Sequence, residues 1–579
     1  MFIRPCYRRK NGKRHAYWAL VESHRTENGP RQRVVGYLGA LSSKKRRGVK
    51  RLADGSRGSG QTSLFPDVDD AAEWVEIDAG KMKVENPRGF GGPWLAMHLV
   101  KMLGLDEFLS RSLPRGREKV SWRLTSLLLV ICRLLHPSSE LDIAEHFYKS
   151  TALPEILGVP EGAVEDTRLY RGLDRLLEKK EELEVFLKER LGVLFKLEYD
   201  ILFYDITSTY FEGMMEGCPI AKRGYSRDQR PDCKQVVIAL VVSRCGMPLG
   251  YEVFDGNQSD STSVEEMVSM IEARYGRSER IWVMDRGMVS EANLEFMRRE
   301  GRRYIVGTPK SLLSRYESAF LREDWTSVRE GVEVKRLASE IPGETFILCR
   351  SDARGKKEEA MRERFAKRME DGLKKLAARC EKRKCAPERI SESLGRLRER
   401  NSRASRFYHA KVHDDAGRAR LEWSLDAQRR EQTSPLDGCY ILRSNIAEWK
   451  PEELWEAYIH LTEAEDAFRV HKSDLRLRPV WHQKEERVRA HILVCFLAYV
   501  LWKALERLCS RAGLGDEPRR VLRELSNIQL VDVIVPTSAG VKLRRSCVTV
   551  PTGHQQILLQ HLKLELPSQW KKCTLNASL

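Results

Sequence analysis

No two cysteines in this chain form a C-x-x-C pair, although it holds 13 of them. Zinc fingers and ribbons need such paired thiolates or a matching pair of histidines, so a structural zinc site of that kind is excluded. The nearest approach, Cys380 and Cys385 in CEKRKC, has no second pair beside it. Scattered thiols without a framework fit a reduced, cytoplasmic setting. Long apolar stretches are missing as well. The start, MFIRPCYRRK, has no apolar signal-peptide core, and the longest strongly apolar run, ILVCFLAYVLW at 492–502, has 11 residues. A membrane span takes about 20, so this run reads as a buried helix and no membrane partner is expected.

Acidic residues are scarce in two places. Residues 1–64 hold 16 Lys or Arg against 3 acids, and residues 354–406 hold 19 against 9. With a formal net charge of +18 overall, everything outside those blocks is slightly acidic. Concentrated basic blocks fit a polyanionic partner better than a solubilising surface does, which points to nucleic acid. At 579 residues the chain is too long for one hydrophobic core, and several domains are expected.

Residues 1–64 read as a basic β-hairpin unit and linker. HAYWALVESHRT and QRVVGYLGAL are β-prone and joined across the turn signal ENGP. The linker carries the cluster Lys44, Lys45, Arg46 and Arg47, expected to contact phosphate. Residues 90–198 are helical in pattern, with Pro137 closing the most apolar helix. A DNA-binding module and a plain structural bundle both fit that pattern.

Residues 199–307 read β-β-β-α-β-α-β. The first strand runs through YDILFYDITSTYFE, two more flank the Cys-Gly-Met-Pro turn at 245–248, and RIWVMD is the fourth. Three antiparallel strands that continue into parallel α/β units give an α/β, ribonuclease-H-like core on a mixed five-stranded sheet. Residues 308–447 are too long for a loop and read as a β-rich insertion with a basic helical arm from Lys356 to about Leu397. The core resumes over 448–510 on a helix starting at Pro451, a residue suited to a first helical turn. Residues 511–579 are left as a C-terminal region.

Asp205 ends the first strand and Asp285 ends the fourth, which are neighbours in the expected sheet. Strand carboxyl ends are where open α/β sheets keep their chemistry. On a 3.6-residue period, the helix from Pro451 puts Tyr458, Leu461, Glu465 and Lys472 on one side, with Arg469 close by. Glu465 then either pairs with Arg469 on the helix surface or joins the two aspartates. Three converging carboxylates suit hard divalent ions. Two such ions about 3.5–4 Å apart activate a water or 3'-hydroxyl and stabilise the leaving oxygen of an in-line displacement.

The sequence resembles a DDE transposase of a bacterial insertion sequence, from the superfamily with a Tyr-x2-Arg-x3-Glu-x6-Lys signature. YIHLTEAEDAFRVHK supplies Tyr458, Glu465 and Lys472 at that spacing, with Leu461 at the arginine position. DITSTYFEG matches the first-aspartate motif, FDGNQSD the run after the third strand, and VMDRGM the second-aspartate motif. The spacing is 80 positions between the first two acids and 180 between the last two, which fits an insertion before the glutamate. The resemblance implies that Asp205, Asp285 and Glu465 are catalytic and hold two Mg²⁺ ions, with Mn²⁺ as substitute. It implies phosphate contacts by Tyr458, Arg469, Lys472 and Arg286, Arg469 standing in for the missing arginine. The implied partners are double-stranded DNA, as terminal inverted repeats and target, and a second copy of the chain in a synaptic complex in the bacterial cytoplasm. An inactive DNA-binding remnant and a metal-dependent nuclease of the same fold are the competing readings.

Overall fold

The computed structural model describes residues 2–10, 13–26, 29–39, 77–320, 322–383, 385–415, 417–428, 436–537, 542–567 and 572–575. Lys44, Lys45, Arg46 and Arg47 lie outside the described residues. The chain divides into two compact units. The first takes Met1–Glu85, Asp532–Cys547 and Gln569–Leu579, the second Asn86–Val531 and Val548–Ser568. In the first unit, β1 (Phe2–Lys10), β2 (Lys13–Thr26) and β3 (Gly29–Gly39) form an antiparallel meander, one strand more than the expected hairpin. Cys6 lies opposite Tyr17 and Val21 opposite Val34.

The second unit opens with helices: α1 (Gly91–Met102), α2 (Trp122–Leu135), α3 (Asp166–Leu177) and α4 (Lys180–Phe195). Ser121 caps α2 through its hydroxyl, and the helix stops at His136, just before Pro137.

The main sheet follows. Its first five strands are β4 (Ile201–Tyr210), β5 (Gln235–Ser243), β6 (Pro248–Asp255), β7 (Ile281–Met284) and β8 (Arg303–Gly307). They lie in the order β6-β5-β4-β7-β8. The pairs β4/β5 and β5/β6 are antiparallel, β4/β7 and β7/β8 parallel. That is the ribonuclease-H-like arrangement read from the sequence. β5, QVVIALVVS, is buried at every residue, as a strand covered on both faces must be. Helices α5 (Val264–Tyr275) and α6 (Glu291–Arg299) cover one face, where Leu202, Tyr204, Trp282 and Met284 pack with Met267, Ile271 and Leu294. Side chains alternate along a strand, so Phe203 and Asp205 point to the other face.

The stretch 308–447 does two things. Strands β9 (Thr326–Arg329), β10 (Val332–Ala338) and β11 (Thr345–Ser351) continue the main sheet. They join it through a strand late in the stretch, Cys439–Ser444, so that the sheet grows to nine strands. The remainder is α7 (Asp352–Lys382), α8 (Pro387–Arg400) and the hairpin β12 (Tyr408–Asp414)/β13 (Ala419–Leu425). These have their own core around Met369, Leu373, Ile390 and Phe407. The expected single arm is thus two helices, split ahead of Pro387, where a proline opens α8.

Beyond the strand at 439–444, hereafter β14, come α9 (Pro451–Ile459), α10 (Thr462–Ser473) and α11 (Glu485–Arg511). The continuous helix expected from Pro451 is broken. At the break Leu461 N–H donates to Tyr458 O, and Thr462 Oγ1 donates to Ile459 O, which tightens the chain and resets the helical phase. Helix α11 is the only described one long and apolar enough to cross a membrane, and 94% of its most apolar window is buried inside the protein.

Candidate active site

Two adjacent strand ends place the first two acids. In the parallel register of β4 and β7, Tyr204 lies opposite Met284, so Asp205 and Asp285 occupy the next level of strands about 4.8 Å apart. Past Asp285 the chain makes a single tight turn over Arg286–Met288. Met288 O there accepts from the Asn293 side chain at 2.8 Å. The third acid arrives on α10. Ala464 and Ala467 are fully buried, and such small side chains let a helix lie close against the sheet beneath it. Phe468 and His471 fill the same buried side, leaving Glu465 on the side that lines an open cleft together with Asp285.

The electrostatics agree with this convergence. Burial pushes the Asp205 carboxyl up to about 7. The Asp285 and Glu465 carboxylates raise it too, while the Ile206 N–H, donating at 2.8 Å, and the Arg227 guanidinium oppose them. Partial burial raises Glu465, and Asp285 and Asp466 add to it. Tyr458 is held well above the ordinary phenol value by burial and then by Asp285, to whose Oδ1 its hydroxyl donates at 3.5 Å. The tyrosine hydroxyl lies against the end of β8, where a Cβ on Gly307 would collide with it and push it aside.

These residues fit divalent ions. The donor set is all carboxylate, and its mutual repulsion is the condition a bound cation relieves. The cleft, about 1080 Å³, continues from the acids towards α7. Arg286, Arg329, Lys357 and Arg406 line it, all exposed and without an acidic partner among the described residues. Arg329 lies over the Trp455 ring at 4.9 Å.

Two expected contacts differ. Arg469 pairs with Asp466 at 3.0 Å on the exposed side of α10, neither bonded to Glu465 nor turned to the acids. Glu465 and Arg469 share α10 four positions apart, and the Arg469 guanidinium turns to Asp466, three positions back, instead. Lys472 is largely buried and donates to Asp228 Oδ1 at 2.7 Å.

Sequence spacing gave no histidine metal set, yet the structure gathers Glu140, His482 and His491 with ligand atoms within 4.8 Å of one another. That spacing can take one divalent ion. The cluster is already engaged, however. His482 Nε2 lies 3.6 Å from Glu140, and His491 Nδ1 faces the Arg133 guanidinium at 3.4 Å with Nε2 3.3 Å from Leu477 O. Burial, then Arg133 and His482, hold His491 well below the usual imidazole range, so it is neutral.

A family model described as "Transposase DDE domain" matches residues 211–501, and one described as "IS1634 family transposase, N-terminal domain" matches residues 3–63. Asp285 and Glu465 fall inside the first match and Asp205 just ahead of it. No curated protein sequence is similar enough to count as a match. Among solved structures, the chain is similar to a piggyBac transposase synaptic complex with hairpin DNA, at 9% identity and a TM-score of 0.34. The similarity covers 77% of this chain and 82% of that one.

Proposed function

The chain belongs to the DDE transposase family, and we propose that it cleaves DNA at the terminal inverted repeats of its own insertion sequence and joins the freed 3'-hydroxyl ends to target DNA. The observation that supports this reading is that Asp285 and Glu465 line one cationic cleft while Asp205, on the strand beside Asp285, lies within the field of both. Those three carboxylates would hold two Mg²⁺ ions. Bound there, the ions supply activation of the attacking oxygen and stabilisation of the leaving one. Tyr458 fixes the Asp285 carboxylate by donating to it. Arg286, Arg329, Lys357 and Arg406 bind phosphates of the strand running from the acids towards α7. The basic segment 1–64 adds phosphate contacts that hold the terminal repeat. Transposition needs both element ends together, so the working form is a synaptic dimer, acting on DNA in the bacterial cytoplasm.

The genomic DNA around the reading frame tests this without any protein. Inverted repeats at its edges, flanked by short direct duplications, are expected. Their consistent lack around intact copies of the reading frame contradicts a mobile-element role and favours a nuclease.

A further inference from the structure

The segment between β4 and β5 carries Arg227 and Asp228 in GYSRDQRPD. No periodicity marks it, yet it is tied to all three acid-bearing elements. The Arg227 N–H donates to Ser208 Oγ at 3.2 Å, three residues past Asp205 on the same strand. The Arg227 guanidinium donates through Nη2 to Asp260, whose other oxygen lies 2.9 Å from where a Cβ on Gly287 would stand. That contact sets the pair against the turn that follows Asp285. The Asp228 side chain is 2% exposed and takes Lys472 and Arg478 on one oxygen. Lys472 lies seven positions, about two turns, beyond Glu465 on α10.

We propose that residues 225–228 are a clasp across the active site, in which Asp228, anchored by Lys472 and Arg478, holds Arg227 to bind the scissile phosphate. The inference rests on the transposase reading. An arginine has five N–H donors, and Nε and Nη1 of Arg227 have no partner among the described residues. The field of the guanidinium already reaches Asp205 and Lys472. This supplies the cation that is missing at Leu461, which is 6% exposed and apolar. It also gives Lys472 a different task from the one read in the sequence: it positions the clasp instead of touching DNA.

Single-turnover cleavage of a duplex carrying the element's terminal repeat tests the proposal, with duplex affinity and thermal midpoint measured on the same preparations. Arg227→Ala is expected to slow cleavage about a hundredfold, the loss typical of removing one donor to developing negative charge, while affinity stays within about twofold. Arg227→Lys, which keeps the charge and guards against a folding failure, should recover about tenfold of that loss, and added guanidinium should partly rescue the alanine variant. Lys472→Ala should slow cleavage and leave the slope of log affinity against log salt unchanged. Wild-type cleavage that Asp285→Asn abolishes keeps the underlying reading intact. In that setting, undiminished cleavage by Arg227→Ala overturns the clasp alone. So does a loss that neither lysine nor guanidinium repairs, or a flattened salt slope for Lys472→Ala. A wild-type protein that cuts no terminal repeat overturns both.

Discussion

Asp205 and Asp285 stand at the same level on neighbouring parallel strands, each one residue beyond the last paired position, Tyr204 opposite Met284. Their closeness is a consequence of register: slipping β7 by one residue would turn Asp285 into the core occupied by Trp282 and Met284. The acids are therefore fixed by the buried pattern of the sheet and repel each other at rest.

Burial of Asp205, with that repulsion added, predicts a pH dependence. The Asp205 carboxyl is raised to about 7 from an ordinary value of 3.8. A raised carboxyl holds its proton in the fold after the unfolded chain has lost it. Its contribution to stability is thus full below 3.8 and lost as the pH rises through about 7. Metal-free protein should lose thermal stability across that window, and Mg²⁺ should restore it. Because binding must expel the proton, apparent Mg²⁺ affinity should rise with pH, with proton release visible as buffer-dependent calorimetric heats. Asp205→Asn should abolish that dependence. Persistence in the variant would assign it to another group.

Arg469 is predicted to be expendable. Its partner is Asp466 and its side chain is 65% exposed. Arg469→Ala should cost about 0.2–0.5 kcal/mol of stability and leave cleavage per folded molecule unchanged. A hundredfold slower cleavage would return it to the active site.

The Glu140, His482 and His491 cluster should be structural. Both ring nitrogens of His491 are engaged, by Arg133 and by Leu477 O. Chelators should leave the thermal midpoint unchanged, while His491→Ala should destabilise by about 1–3 kcal/mol through the orphaned buried groups. A midpoint that falls on chelation and recovers with zinc would make the cluster a metal site.

Removing residues 1–64 should weaken binding of the terminal repeat and flatten the dependence of log affinity on log salt, since the segment has 16 basic residues against 3 acids. An unchanged slope would assign the segment to folding.

The main sheet was legible because its strands are runs of β-branched and aromatic residues that end in a charge, as in IWVMD and ILFYD. Asp205 and Asp285 stand at two of those strand ends, and the family motifs around them made them candidates. Glu465 came from the resemblance, and the neighbours it has on α10 were not legible, because the pairings of Arg469 with Asp466 and of Lys472 with Asp228 are side-chain contacts that no hydrophobic period reports. Strands β9 to β11 read as part of a separate insertion because the pairing of β14 with β8 is non-local, joining Leu442 to Gly307. The clasp was illegible for the same reason. Asp228 and Lys472 are 244 positions apart, and Glu140 lies farther still from His491. Local patterns report faces of elements and leave the partners of loop residues open.

On the proposed function, Asp205, Asp285 and Glu465 act together on a phosphodiester. Single-turnover cleavage of a terminal-repeat duplex in Mg²⁺, by the wild-type protein and by Asp205→Asn, Asp285→Asn and Glu465→Gln, tests it most directly. Cutting at the element end by the wild type is expected, with loss of at least a thousandfold in each variant, about 4 kcal/mol of barrier, and duplex affinity nearly unchanged. Cleavage that survives any one of the three substitutions would contradict it.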